Sequence, residues 1–191
     1  MVFKAKRRTV VTTAASVFVL LVAALVVTVF THGNSSNADA NMVAYPVGQR
    51  PAAPDFTATS LTGTPINFAS YRGKIVVLNV WGSWCGPCQA EGQTLKYLDE
   101  EYAPKGIAFL GDDIQDTPTE ALAFLRGVGI TYPSVNDATG AVEERLAIAV
   151  PISATPTTLV IDKTGHVAGV IDGAVTYPEM TTLLNDAAVT Q

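Results

Sequence analysis

The sequence predicts an α/β domain built on a mixed β-sheet with helices on both faces. Three observations predict it. Apolar strand-like runs and helical stretches alternate in the order βαβα and then ββα. The apolar run Ile75-Val76-Val77-Leu78-Asn79-Val80-Trp81 leads straight into a helical stretch, with Trp84-Cys85-Gly86-Pro87-Cys88 at the junction. The last two strand-like runs are joined by Lys163-Thr164-Gly165, the spacing of a hairpin.

Taken in order, the domain is expected to span 51–191, opening with Pro51-Ala52-Ala53-Pro54-Asp55-Phe56. Phe56 to Ser60 and Ile66 to Ala69 read as short strands around a Thr62-Gly63-Thr64-Pro65 turn. Residues 75–80 form the buried central strand. The helix after Cys88 should run to about Tyr102, since Leu95, Leu98 and Tyr102 recur at helical spacing, and Ala103-Pro104-Lys105-Gly106 ends it. Ile107 to Leu110 is the next strand, closed by Gly111-Asp112-Asp113. Pro118 to Val128 reads as a helix: Pro118 and Glu120 suit its first turn, and Leu122 and Leu125 give it an apolar side. A loop at 129–133, a short helix from Gly140 to Ala147 and an extended stretch from Val150 to Pro156 follow. Thr157 to Asp162 and His166 to Asp172 make the hairpin, and Tyr177 to Ala188 the final helix.

Ahead of this domain the charge is uneven. Lys4, Lys6, Arg7 and Arg8 precede Val10 to Phe30, a run without a charged residue. At about 1.5 Å per residue that run is long enough to cross a bilayer core as one helix. The basic cluster places residues 1–9 in the cytoplasm, 10–30 across the membrane, 31–50 as a flexible polar linker holding His32, and the domain outside the cell membrane. A cleaved signal peptide is the rival reading, with Ala38-Asp39-Ala40 as its cleavage site. Its apolar region would normally be about 7–15 residues, shorter than this one. Past the N-terminal cluster the chain is acidic, which argues against a nucleic-acid partner.

Cys85 and Cys88 are the only cysteines in 191 residues. A Cys-x-x-Cys that ends a strand and opens a helix is a redox signature. At a helix N-terminus, free backbone N–H groups and the helix dipole stabilise a thiolate, the form that attacks a disulfide. The second cysteine, one turn on, can resolve the mixed disulfide. Two cysteines and the scattered His32 and His166 do not make a four-ligand zinc site. Neither a metal nor another cofactor is expected.

Trp84-Cys85-Gly86-Pro87-Cys88, the segment Ala154-Thr155-Pro156-Thr157-Thr158 and the closing hairpin plus helix resemble the thioredoxin fold. The membrane anchor, the Pro54-Asp55-Phe56 opening with its N-terminal hairpin, and the inserted helix at 118–128 resemble the TlpA/ResA-like branch of membrane-anchored, extracytoplasmic thiol-disulfide oxidoreductases. The resemblance covers about 51–191. It implies that Cys85 is the attacking thiolate, that Cys88 resolves, and that the Gly86-Pro87 dipeptide helps tune the redox potential toward reduction. It also implies that Pro156 is a cis-proline facing the pair, with Thr155 and Trp84 touching substrate.

Where thioredoxins carry a buried aspartate, this chain has Asn79. The branch places its acid after the third strand, which aligns with Asp116, or with Asp113 as second choice. The alternative for Asp112, Asp113 and Asp116 is a solvated loop that caps the next helix. Glu91 falls where the branch carries an acid in the first helical turn, and Gly92-Gln93 stand where it often has a kinking proline. Trp81 and His166 read as structural.

The implied function is a protein-disulfide reductase, reduced by a membrane-bound thiol electron donor and acting as a monomer on protein disulfides. Those of apocytochrome c during cytochrome c maturation are the branch's frequent substrate. The same chemistry run backwards would make disulfides in secreted proteins. A peroxiredoxin-like peroxidase shares the Pro-Asp-Phe opening but needs a Pro-x-x-x-Thr-x-x-Cys loop, absent from Asn79 to Trp84. A copper chaperone needs one more residue between the cysteines.

Overall fold

The computed structural model describes residues 42–189, so the expected membrane span at 10–30 lies outside the described residues. Among the described residues, no helix is long and apolar enough to cross a membrane. Six strands form one mixed sheet: β1 (Met42–Ala44), β4 (Val76–Trp81), β5 (Ala108–Ile114), β6 (Ser134–Asp137), β7 (Thr157–Ile161) and β8 (Val167–Asp172). Their order across the sheet is β1-β8-β7-β4-β5-β6. The β4–β5 and β5–β6 pairs are parallel, and β4–β7, β7–β8 and β8–β1 are antiparallel. β2 (Thr57–Thr59) and β3 (Pro65–Asn67) form a separate hairpin, as the sequence predicts.

Strand β4 is central because it can be. All six of its residues are buried, and a near-continuous apolar run suits a strand covered on both faces. Its side chains alternate. Val76, Leu78 and Val80 join Phe56, Phe68 and Leu146 in one core layer, where the Phe56 and Phe68 rings stack at 4.8 Å. Val77 faces the other layer, with Leu95 and Leu98 of α1 (Gly86–Tyr102) and Met180 and Leu183 of α4 (Tyr177–Ala188). Trp81 continues on that side into a third cluster that holds Cys85, Cys88, and Ala121 and Leu125 of α2 (Pro118–Val128). The short helix α3 (Ala141–Leu146) buries Val142 and Leu146 against the first layer.

Four expectations need correction. The linker expected at 31–50 is not free of structure in its described part. Met42–Ala44 pairs with β8, and Arg50 makes a buried 2.8 Å ion pair with Asp162. Arg50 also donates to the carbonyls of Asp186 and Val189, a cation placed at the C-terminal end of α4. The fold therefore begins before residue 51. Second, β5 does not stop at Leu110. Gly111, Asp112 and Asp113 stay in register with β4 on one side and β6 on the other, and pairing on both edges overrides their turn preference. Third, β6 lies in a segment the sequence left unassigned. Asp137 ends it and accepts hydrogen bonds from the amides of Ala141, Val142 and Glu143, which starts α3. Fourth, α1 begins at Gly86 rather than after Cys88, with Cys85 as its N-cap.

Candidate active site

The disulfide sits where the central strand hands over to α1. Cys85 and Cys88 are bonded, and the Cys85 Sγ accepts the Cys88 amide N–H at 3.1 Å. A first-turn amide pointing at that sulfur is the interaction that would stabilise a Cys85 thiolate once the bond is reduced. The Cys85 Sγ is also 3.5 Å from the Thr155 carbonyl oxygen, which a thiol, but not a thiolate, could donate to. Trp84 is 53% exposed beside the pair, its indole N–H donating to the Ile114 carbonyl at 3.2 Å. The ring lies on Gly82, where an added Cβ would come within 2.5 Å of it.

Thr155–Pro156 is cis, as the motif implies. Strand β8 holds this loop: the Gly173 amide donates to the Pro156 carbonyl at 2.8 Å, and Asp172 accepts from Thr157 at 2.7 Å and from Ser153. Sequence reasoning did not single out Asp172, and only its place at the end of the hairpin could have pointed to it.

Glu91 stands one turn after Cys88 on α1, on the same helical face, and is 2% exposed. Its carboxylate accepts from the Asn79 amide at 2.9 Å and from the Val175 amide N–H at 2.7 Å. Since Glu91 is an acceptor, Asn79 must turn its NH₂ toward it, and the same NH₂ reaches Thr158 Oγ1 at 2.9 Å. Burial pushes the Glu91 pKa up to about 7, with the two donors restraining the rise. Asn79, which departs from the thioredoxin pattern, thus supports a buried acid beside the second cysteine. Gly92 follows without breaking α1. It lets α2 approach, with Val128 and Phe124 where a side chain would go.

The acids after the third strand are not a solvated loop. Asp116 is largely buried, and its carboxylate accepts the Ser83 amide and its neighbour Thr117's amide, both at 2.7 Å. These bonds face the loop before Cys85. Thr117, not an aspartate, caps α2. Asp112 and Asp113 lie wholly inside, on opposite faces of β5. Burial first, then neighbouring acids, push both up to about 8. Trp81 is core: it donates to Ser134 Oγ at 2.8 Å and packs on Phe124. His166 is bonded within the β7–β8 turn. Among the described residues, no group of three or more His, Cys, Asp or Glu is arranged to hold a metal ion.

The model of the AhpC/TSA family matches residues 49–170. The chain belongs to that family. It is 33% identical to the thiol-disulfide oxidoreductase ResA of Geobacillus kaustophilus, over 93% of this chain and 94% of that one. Among solved structures, a secreted thiol-disulfide isomerase from Corynebacterium glutamicum superposes with a TM-score of 0.72 at 31% identity, over 78% of this chain and 93% of that one. A DsbF homologue from Corynebacterium diphtheriae gives a TM-score of 0.70 at 33% identity, covering 76% and 92%. The fold is thioredoxin-like, and the protein is a thiol-disulfide oxidoreductase.

Proposed function

We propose that the protein is a membrane-anchored, extracytoplasmic protein-disulfide reductase. The observation that carries the exchange mechanism is the Cys88 amide pointing at the Cys85 sulfur. The Cys85 thiolate attacks one sulfur of a substrate disulfide. That S–S bond breaks, one substrate cysteine leaves as thiolate, and a mixed disulfide forms. Cys88 then gives its proton to Glu91 and attacks the Cys85 sulfur, releasing the second substrate thiolate and closing the Cys85–Cys88 disulfide. A Glu91 pKa of about 7 suits a group that must take up and return a proton near neutrality. Asp116 is the less suitable acceptor, because its carboxylate holds the Ser83 amide of the loop before Cys85, whereas Glu91 lies one turn after Cys88 on the same helix. Thr155 offers backbone to an extended substrate, and Trp84, Gly86 and Pro87 form the rim it meets.

The resemblance to ResA and the Gly-Pro dipeptide favour reduction, with a membrane-bound thiol carrier supplying two electrons and two protons. The apolar run at 10–30 would be the anchor, with residues 1–9 in the cytoplasm and a single copy acting alone. Apocytochrome c, whose haem-binding cysteines must stay reduced, is the proposed substrate. The opposite direction, disulfide formation in secreted proteins, is the alternative reading, and a secreted thiol-disulfide isomerase is among the structural neighbours. The equilibrium potential separates the two: about −270 mV supports the reductase and about −120 mV the oxidant. The mechanism is tested by Cys88→Ser, which should trap a partner on Cys85. Capture of a c-type cytochrome identifies the substrate, and failure to form any mixed disulfide would overturn the exchange scheme.

A further inference from the structure

Asp113 is 0% exposed, and neither of its oxygens meets a hydrogen-bond donor among the described residues. It cannot turn away. Its strand is paired on both edges, Asp113 lying opposite Trp81 of β4 and Asn136 of β6. An ionised carboxylate with no donor, next to an apolar cluster, is too costly to persist. The group must be the neutral acid, and its O–H then needs an acceptor. Of the neighbouring acids, the Asp116 carboxylate, three residues on, acts on Asp113 most strongly. Asp116 is the acceptor of the pair, because it already accepts two backbone N–H groups and has room for a third donor. Gln115, between them, has a φ of 51°, in the left-handed region that non-glycine residues rarely adopt. That turn brings Asp116 back toward the end of β5.

We propose that Asp113 is a positioning residue: its buried carboxylic acid donates to the Asp116 carboxylate, and this pair holds the Ser83 amide and so fixes the loop that delivers Cys85. The proposal rests on the reading of Cys85 as the attacking thiol. The hydrogen-bonded chain is short. Asp113 bonds Asp116, Asp116 bonds the Ser83 N–H, and the Ser83 carbonyl accepts from Gln89 of α1 at 2.8 Å. Both sides of the Cys85 turn are thereby tied to β5 and α1. The ionisable groups that act on Asp113 are all acids: Asp116 on the following loop and Asp137 on β6, with Asp112 its chain neighbour on the other face. The cluster on its own face, with Ala121 and Leu125 of α2 and Trp81 of β4, contributes no charge. Loss of the Asp113 proton would set two carboxylates against each other and release Ser83.

The test uses the oxidised full-length protein, whose thiols cannot titrate. Tryptophan fluorescence is followed from pH 6 to 9 in a Glu91→Gln background, which removes the acid beside Cys88 that titrates near 7, with Trp81 opposite Asp113 and Trp84 on the loop as reporters. With Asp113 intact, that background should show a transition near pH 8, where burial places the Asp113 proton. Asp113→Asn, which keeps a neutral donor, should abolish it while exchange with a model protein disulfide at pH 7 stays within about two-fold. Asp113→Leu should slow that exchange by about ten-fold, for want of a hydrogen bond to a charged acceptor. Asp112→Asn, on the opposite face, should keep the transition. A transition that survives in Asp113→Asn, or an Asp113→Leu protein that exchanges at the wild-type rate, would overturn the proposal. If the leucine variant fails to fold, the asparagine titration still decides. That titration depends on neither the substrate nor the direction of electron flow, so its failure is distinct from failure of the reductase reading.

Discussion

Replacing Glu91 with glutamine removes one proton-binding group and almost no volume. In the fold, burial raises this carboxyl from 4.5 to about 7. The folded protein therefore holds the proton more tightly than the unfolded chain does. The stabilisation tied to that proton is complete below pH 4.5 and is lost as the pH rises through about 7. Over that interval the loss amounts to about 3 kcal/mol, at 1.36 kcal/mol for each tenfold change in affinity. Glutamine does not titrate. Its single amide oxygen can accept from Asn79 or from Val175, not both, so its NH₂ faces the other donor at a cost of about 1–3 kcal/mol. The wild type should thus be the more stable protein at pH 5, and its advantage should shrink by about 3 kcal/mol by pH 8. Denaturant unfolding of the oxidised proteins at pH 5, 6, 7 and 8, followed by circular dichroism, measures the difference directly. Asp112 and Asp113 titrate in both proteins and cancel in it. A difference that stays constant within about 0.5 kcal/mol would show that Glu91 is not held as a perturbed acid.

Arg50→Met should cost about 2–4 kcal/mol, because it leaves Asp162 buried without its cation, and thermal unfolding would measure the loss. Asp137→Ala strips three amides at the start of α3 of their acceptor and should destabilise by about 1–3 kcal/mol in denaturant unfolding. Gly111→Ala would drive a methyl into Ser134 Oγ and within 2.7 Å of the Trp81 indole nitrogen, costing about 1–3 kcal/mol and shifting Trp81 fluorescence. Trp84→Ala should change stability by no more than about 0.5 kcal/mol, since the ring is exposed. It should slow exchange with a protein disulfide while leaving reduction by a small dithiol unchanged in stopped-flow traces.

The apolar run of β4, the helical spacing of α1 and the hairpin of β7 and β8 were legible because each carries its own period. Helix α2 was legible from Pro118 and its apolar side, down to its boundaries. β1 and β6 were not, for one physical reason: both are short edge strands whose pairing is decided by a neighbour rather than by their own pattern. Met42-Val43-Ala44 is a strand because β8 offers it a free edge.

The acids show the same limit more sharply. Gly-Asp-Asp is a turn signal taken alone, and nothing local says that β6 will cover its far edge and extend β5 through it. Once it does, strand alternation sends one carboxyl to each face, and burial makes both reluctant to ionise. The same cause separates the two acids that resemblance placed at the site. Glu91 lies on the Cys88 face of α1 and is buried without a cation, which holds its carboxyl up near 7. Asp116 is tied to two amides on the Cys85 side. Spacing alone brings both acids near the motif, and only the hydrogen bonds tell them apart: Glu91 accepts from Asn79 and Val175 beside Cys88, and Asp116 from Ser83 and Thr117 beside the loop before Cys85.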